Sequence, residues 1–391
     1  MRIVALFGGD VFSGAEVTTL RFLNALPGRH STLACMASSN IGRAASFGIE
    51  CAAWESESKA GDRLLRASHF VPEPEEPTAA SQSARNALRG IVAGRKPDVV
   101  VACMYPVGML ALPVVQDMGV PLVVHHQLMY KDLPDHPIIK PVLRASRYAA
   151  KIIAASEATA VPLRRSGISN VEVIRADLPD TYANGKGAKR TAEPPIILAV
   201  GTWGPVKGLD YLVEAADRLH AAGRKFRLDV VGPLGEYGWD YESLIRCASR
   251  AGVERGYIRL HGPSSDPRDF YAGADIFVVP SSEPDPFPSV TLEAMAHGLP
   301  VVATAVGGLV EQVVEGETGF LVYPCDPAAL AGACGRLLDS PELAQRLGNR
   351  GRALQRENSV LGSQSAEFAR VLEEAVRLRG VPAAAALKAA A

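Results

Sequence analysis

Val278-Val-Pro-Ser-Ser-Glu-Pro-Asp-Pro-Phe-Pro-Ser-Val-Thr-Leu-Glu-Ala-Met-Ala-His-Gly298 is the stretch on which the reading of this chain turns. It opens as the end of an apolar run, Ala274-Asp-Ile-Phe-Val-Val279, with the composition of a buried strand. Prolines at 284, 286 and 288 break the run into a loop. A helix is predicted from about Ser289, with Ser289 as its N-cap and Gly298 as the left-handed residue just past its end. Strand, tight loop and helix start together make a place for an anion. The N–H groups of Val290, Thr291 and Leu292 are expected to be free, and the helix macrodipole adds partial positive charge. Two carboxylates stand eight residues apart in the same element, Asp285 in the loop and Glu293 inside the helix. A phosphate-binding end flanked by acids suits a ligand with both phosphates and hydroxyls, such as a nucleotide sugar. The plainer reading is an α/β loop with a solvated Asp and Glu, because short motifs match by chance.

Working outward, a chain of 391 residues is too long for one ordinary core and suits two domains. It is 48% hydrophobic and 21% charged, which fits a globular protein and not a disordered one. A formal net charge of −1 gives no bulk electrostatic case for nucleic acid. The cysteines at 35, 51, 103, 247, 325 and 334 show neither C-x-x-C nor metal-ligand spacing, so reduced thiols in a cytoplasm are expected. The opening apolar run, Ile3 to Phe7, is too short for a signal peptide, and no stretch reaches the length of a spanning helix.

Short apolar runs alternate with helical patterns along the whole chain, the sign of parallel βα units. Ile3–Phe7 reads as a strand, followed by the glycine-bearing loop 8–14 and a helix from about Ala15 to Leu26. Such a loop leaves amides free for phosphate, although a plain strand-to-helix turn accounts for it equally. Further strands are predicted near Ser31–Met36, Asp98–Cys103 and Pro121–His125, and Val71–Thr78 reads as an exposed proline-rich loop. The third of these strands runs into His125-His126-Gln127, at the strand end where ligands bind in open α/β sheets. A histidine that merely caps a strand is the alternative. Lys140, Arg144, Arg147 and Lys151 are spaced by four, three and four, which places them on one face of a predicted helix. That stripe is either a solvated face or a contact for anionic lipid headgroups or a phosphorylated acceptor.

The polar, glycine- and proline-rich segment 183–195 reads as a linker between a first domain, 1–182, and a second, 196–362. The second opens with the strand Ile196–Val200, then Gly201-Thr202-Trp203-Gly204-Pro205-Val206-Lys207-Gly208 and an amphipathic helix. A lysine where a helix begins meets the positive end of the dipole, and becomes sensible if an anion sits between the two. Strands at 225–232 and at Ile258–His261 end in glycine-rich loops, the second in Gly262-Pro263. A helix over about 363–380 and an alanine-rich tail, 381–391, complete the chain.

The run Asp285–Gly308, D-P-F-P-S-V-T-L-E-A-M-A-H-G-L-P-V-V-A-T-A-V-G-G, resembles the signature of family 4 of the retaining glycosyltransferases. Ser13-Gly14-Ala15-Glu16 is similar to the G-G-A-E part of the same family's N-terminal loop, and Gly201 to Gly208 to its G-R-x4-K-G motif. The resemblance implies an α/β fold of the GT-B type, two doubly wound Rossmann-like domains facing across a cleft, with the 363–380 helix crossing back to the first. It also implies roles. Asp285 lies by the donor sugar and Glu293 on the ribose. Gly14, Gly201, Thr202, Lys207, Gly262, Val290 and Thr291 border the nucleotide sugar, and His125 or His126 stands beside the sugar, with Gln127 there if the register slips. Thr202 stands where the family has a diphosphate-binding arginine, and Asp285 is one methylene shorter than the usual Glu; Glu283 could compensate for the latter. The implied reaction moves a sugar from a nucleoside diphosphate to an acceptor hydroxyl with retention and no metal or other cofactor. Lys207 and helix amides would then steady the departing diphosphate. Bacterial cell-surface polysaccharide or glycoconjugate synthesis, at the cytoplasmic face of the membrane, is the setting this resemblance implies. Two alternatives stay open: a phosphorylase or sucrose-synthase-like enzyme on the same scaffold, and a non-catalytic donor-binding subunit, the latter suggested by Thr202 and Asp285.

Overall fold

The structure is a computed structural model, which describes residues 1–8, 14–54, 78–103, 105–127, 129, 146–178, 182, 193–233, 245–246, 249–264, 266–358 and 363–379. The 9–13 part of the N-terminal loop, the 71–77 loop, Lys140, Arg144, most of the linker and the 381–391 tail lie outside the described residues. Two compact units emerge, Met1–Ala176 with the segment from Gly362 onward, and Asp177–Leu361. The division falls ahead of the 183–195 segment because Leu178 and Tyr182 are buried beside Ala296 and Leu292 of the second unit.

The first unit is built on strands β1 (Arg2–Phe7), β2 (Ser31–Met36), β3 (Glu50–Ala53), β4 (Val99–Cys103), β5 (Leu122–His126), β6 (Lys151–Ala154) and β7 (Val171–Val173). They form a parallel sheet in the order β3-β2-β1-β4-β5-β6-β7. Both faces are covered, which is why strands such as Val99-Val-Val-Ala-Cys103 are apolar throughout rather than alternating. Val4 and Leu6 enter one core layer, and Ile3, Ala5 and Phe7 the other. The second layer is completed by the Ser363–Arg377 helix, whose Phe368, Val371, Leu372 and Ala375 are buried among β1, β4 and β5 residues. Strand β3 escapes the sequence reading: it is an edge strand with no fully buried side chain, so it lacks an apolar run.

The second unit repeats the plan with β8 (Ile196–Val200), β9 (Arg227–Val231), β10 (Ile258–His261), β11 (Ile276–Val279), β12 (Val301–Thr304) and β13 (Gly319–Val322). The order is β10-β9-β8-β11-β12-β13, again all parallel. In each sheet the order reverses beside the first strand, β1 or β8, and the loops leaving the strand C-termini there form the crevice in which doubly wound sheets bind ligands. Because the strands are parallel, Gly201, Lys207, Gly262, Asp285 and Gly307 all follow strand C-termini and share one rim of the second sheet.

Candidate nucleotide-sugar site

On that rim, β8 leads into a single 3-10 turn, Pro205–Lys207, and then the Leu209–Ala221 helix. The joint is Gly208, left-handed at φ 63°. A Cβ there would stand 2.0 Å from the carbonyl oxygen of Pro280, so only glycine lets the turn lie against the loop that follows β11. Two hydrogen bonds stitch the contact: Ser282 donates its N–H to Val206 O at 3.1 Å and its hydroxyl to Pro205 O at 2.8 Å. The seam brings Lys207 to Asp285, Nζ to Oδ2 at 2.5 Å, although the two lie 78 residues apart. Asp285 is 8% exposed, whereas a third of the lysine side chain remains open. Lys207 was expected to face an anion; in this structure the anion is Asp285 itself.

The other side of Asp285 is set by Gly307-Gly308. The N–H of Gly308 donates to Asp285 O at 2.7 Å, and a Cβ on either glycine would overlap the Asp285–Pro286 backbone. Pro288 is fixed by Gln312 Nε2, which donates to its carbonyl at 3.1 Å. The helix runs Ser289–Ala296, and its N-cap is Pro288, with no side-chain cap, rather than Ser289. A second correction concerns its amides. The N–H of Thr291 bonds to Pro288 O at 3.2 Å and is not free, because the first turn tightens around the proline carbonyl. Gly298 is left-handed at φ 75°, as predicted for the residue past the helix end.

Glu293 sits inside this helix, 6% exposed, and accepts a hydrogen bond at Oε2 from the hydroxyl of Tyr271 at 3.0 Å. Gly201, Thr202 and Gly262 belong to a lacing of loop backbones at the ends of β8, β9 and β10. Gly201 N bonds to Val231 O at 3.0 Å, Trp203 N to Pro233 O at 2.8 Å, and Gly232 N to Gly262 O at 3.3 Å. His261 leans toward the buried Asp229, Nε2 to Oδ1 at 3.4 Å, within a cluster closed by Arg227.

In the first unit, Gly14 is the first residue of the Gly14–Asn24 helix. His125 and His126 close β5 on opposite sheet faces, at 0% and 2% exposure. His125 lies between Phe22 and Phe368, ring centroids 5.9 and 5.6 Å away. Its Nδ1 is 2.9 Å from the Thr19 hydroxyl and 3.2 Å from Gln127 Nε2. That amide also donates to Ala15 O at 2.9 Å and to Thr19 Oγ1 at 3.0 Å, so Gln127 presents its NH₂ to the cluster. Burial pushes both histidine pKa values down to about 3, so each ring offers hydrogen bonds and not charge. The four-cation stripe is corrected. Lys151 opens strand β6 and pairs with Glu172 at 2.7 Å and Glu374 at 2.8 Å; among the described members of the stripe only Arg147 is exposed.

Tyr271 and the Gly307-Gly308 pair join the site without appearing among the residues the sequence points to. The glycines carry a legible signal, a strand end followed by two residues without Cβ; Tyr271 carries none, since its partner lies 22 residues away in another element. Among the described residues, no helix is long and apolar enough to cross a membrane.

This geometry meets a consistent set of likenesses. The description "Glycosyl transferases group 1" matches residues 184–354, and "Glycosyltransferase Family 4" matches residues 12–175. A D-inositol 3-phosphate glycosyltransferase of Frankia alni is 31% identical over 286 residues, 65% of this chain and 70% of that protein. The protein of the same name from Acidothermus cellulolyticus is 42% identical over 152 residues, 37% of this chain; the chain spans only 33% of that relative's length. Among solved structures, Anabaena Alr3699/HepE in complex with UDP superposes with a TM-score of 0.77 at 18% identity, covering 95% of this chain and 100% of that one. The same protein in complex with UDP-glucose superposes equally well. At that identity the likeness is one of fold, two Rossmann-like parallel-sheet units of the GT-B class. The chain belongs to family 4 of the glycosyltransferases.

Proposed function

We propose that the protein transfers a sugar from a nucleoside diphosphate sugar to an acceptor hydroxyl, with retention and without a metal ion. The observation that carries the reading is the Lys207–Asp285 pair, which the Gly208 seam holds on the C-terminal rim of the second sheet. In the reaction, the bond from the sugar's anomeric carbon to the diphosphate oxygen breaks. The acceptor oxygen bonds to that carbon on the same face, and the acceptor proton passes to the departing phosphate. Lys207 then shares its charge between Asp285 and the diphosphate, aided by the amide of Val290 at the helix start. Glu293 takes the ribose hydroxyls, and Gly201, Thr202 and Gly262 border the donor on the rim of the second sheet; His125 and His126, buried and neutral at the end of β5, move no proton.

UDP and UDP-glucose, the ligands of the HepE neighbour, are the first donors to test, and D-inositol 3-phosphate, from the relatives' name, the first acceptor. A polysaccharide or lipid-linked acceptor in cell-surface synthesis is the wider class, and Arg147 is the one described stripe residue left to meet a membrane. The reading is tested by a thermal-shift screen with UDP, GDP, ADP and TDP and their sugars, followed by turnover with the best donor. Lys207→Ala is expected to lower turnover by about 100-fold or more while the fold persists, the size of losing one charge-stabilising donor. EDTA is expected to leave the rate unchanged. Full turnover by the variant, or loss of activity in EDTA, overturns the reading. A non-catalytic donor-binding subunit is the second reading, favoured by Thr202 in place of a cation; a nucleotide-induced shift with no transfer to any acceptor would select it.

A further inference from the structure

Glu293 is a carboxylate on a helix interior, nearly closed off from water, and its direction is set by what surrounds it. The Arg268–Gly273 helix brings Tyr271 against it, wholly buried, with the hydroxyl 3.0 Å from Glu293 Oε2. Tyr271 is itself clamped. Its ring stacks on His297, centroids 5.3 Å apart and planes at 23°, and meets Phe277 at 5.5 Å. His297 donates its Nδ1–H to the carbonyl of Glu293 at 2.8 Å, and Tyr182 meets the edge of the imidazole at 5.9 Å. Burial lowers the His297 pKa and, with the neighbouring Glu293 carboxylate, raises that of Tyr271. The imidazole is therefore neutral, and the phenol keeps the proton it donates.

We propose that Tyr271 is a positioning residue for the donor: by holding Oε2 of Glu293 it aims the carboxylate at the ribose hydroxyls of the bound nucleotide. The inference rests on the reading of Glu293 given above. Tyr271 makes no contact with the donor. It acts by removing rotamer freedom from Glu293 before the donor arrives, so the carboxylate need not be ordered at the expense of binding. A tyrosine hydroxyl suits this because it donates one charge-assisted hydrogen bond to the carboxylate while keeping its proton, with a rigid ring to fix its origin.

The test measures binding of UDP and of 2′,3′-dideoxy-UDP to the full chain, with donor KM and kcat alongside. Tyr271→Phe is expected to weaken UDP about 10-fold, the size of a hydrogen bond to a charged group, and to raise donor KM with kcat within about twofold. Dideoxy-UDP, which has no hydroxyl for Glu293 to reach, is expected to bind the variant and the parent alike. Phe277→Leu serves as the packing control: it loosens the same aromatic cluster and is expected to lower Tm without altering the preference for UDP over dideoxy-UDP. Equal losses for both nucleotides in Tyr271→Phe, or no loss, overturn the inference. Glu293→Gln separates the two levels. If it retains the full preference for UDP over dideoxy-UDP, or if the parent binds neither nucleotide, the ribose reading itself fails. If Glu293→Gln loses the preference and Tyr271→Phe keeps it, only the role of Tyr271 fails.

Discussion

At the scale of single residues, the second unit's site depends on places where a side chain is absent. Gly208 is the sharpest: positive φ and a carbonyl 2.0 Å from a would-be Cβ are both intolerant of alanine. Gly208→Ala is expected to cost more than about 1 kcal/mol and to lower Tm in calorimetry, because the turn must either strain or leave Pro280. It should also separate Lys207 from Asp285, seen as a loss of donor affinity larger than the Tm change alone accounts for. The residues that meet here were legible one by one. Lys207 stood out as a cation at a helix start, Asp285 and Glu293 as acids flanking a loop. What sequence could not give was the pairing of Lys207 with Asp285, since a contact across 78 residues leaves no local pattern. The capping of the 289–296 helix departs from the sequence expectation for a related reason. Serine is the commoner cap, but Pro288, already fixed in an extended conformation at φ −63°, ψ 120°, precedes the first helical residue and takes the place.

Among the elements, the strands were the most legible, because a parallel sheet covered on both faces demands unbroken apolar runs. Ile196–Val200 and Ile258–His261 emerge with the predicted bounds, and β5 is displaced by one residue from Pro121–His125 to Leu122–His126. Lys151 shows where periodicity misleads. Its spacing continued a helical stripe, yet it begins a strand, and its charge is spent on Glu172 and Glu374. The same ion cluster, extended by Arg370, which pairs with Glu172, Glu367 and Glu374, ties the Ser363–Arg377 helix to the edge of the first sheet. The helix is held more firmly by its apolar side. Phe368 is fully buried against Phe22, ring centroids 5.1 Å apart, and against His125. Phe368→Ala is expected to destabilise the protein by about 3–5 kcal/mol, read from urea unfolding. Arg370→Met, at a partly exposed network, is expected to cost about 1 kcal/mol or less.

For the molecule as a whole, the buried histidines make stability depend on pH. In the folded chain His125 and His126 have pKa values near 3, against an ordinary 6.5. Between those values the unfolded chain binds more protons than the folded one, so stability falls as pH falls. The contribution is whole above about pH 6.5 and is lost progressively toward pH 3, at up to about 1.4 kcal/mol per pH unit for each histidine. Urea midpoints are expected to hold from pH 7.5 to about pH 6.5 and to drop steadily from there to about pH 4.5. His125→Gln should flatten the slope while keeping a polar group beside Thr19 and Gln127; an unchanged slope would show that other groups set the acid sensitivity.

The order of the chain through its two units also bears on how the protein is made. The second unit is one uninterrupted segment, Asp177–Leu361, whereas the first lacks a fifth of the buried residues of one core layer until Phe368, Val371, Leu372 and Ala375 arrive. During synthesis the later-encoded unit can therefore close while the earlier one still waits, its apolar face uncovered until the ribosome has delivered that last helix.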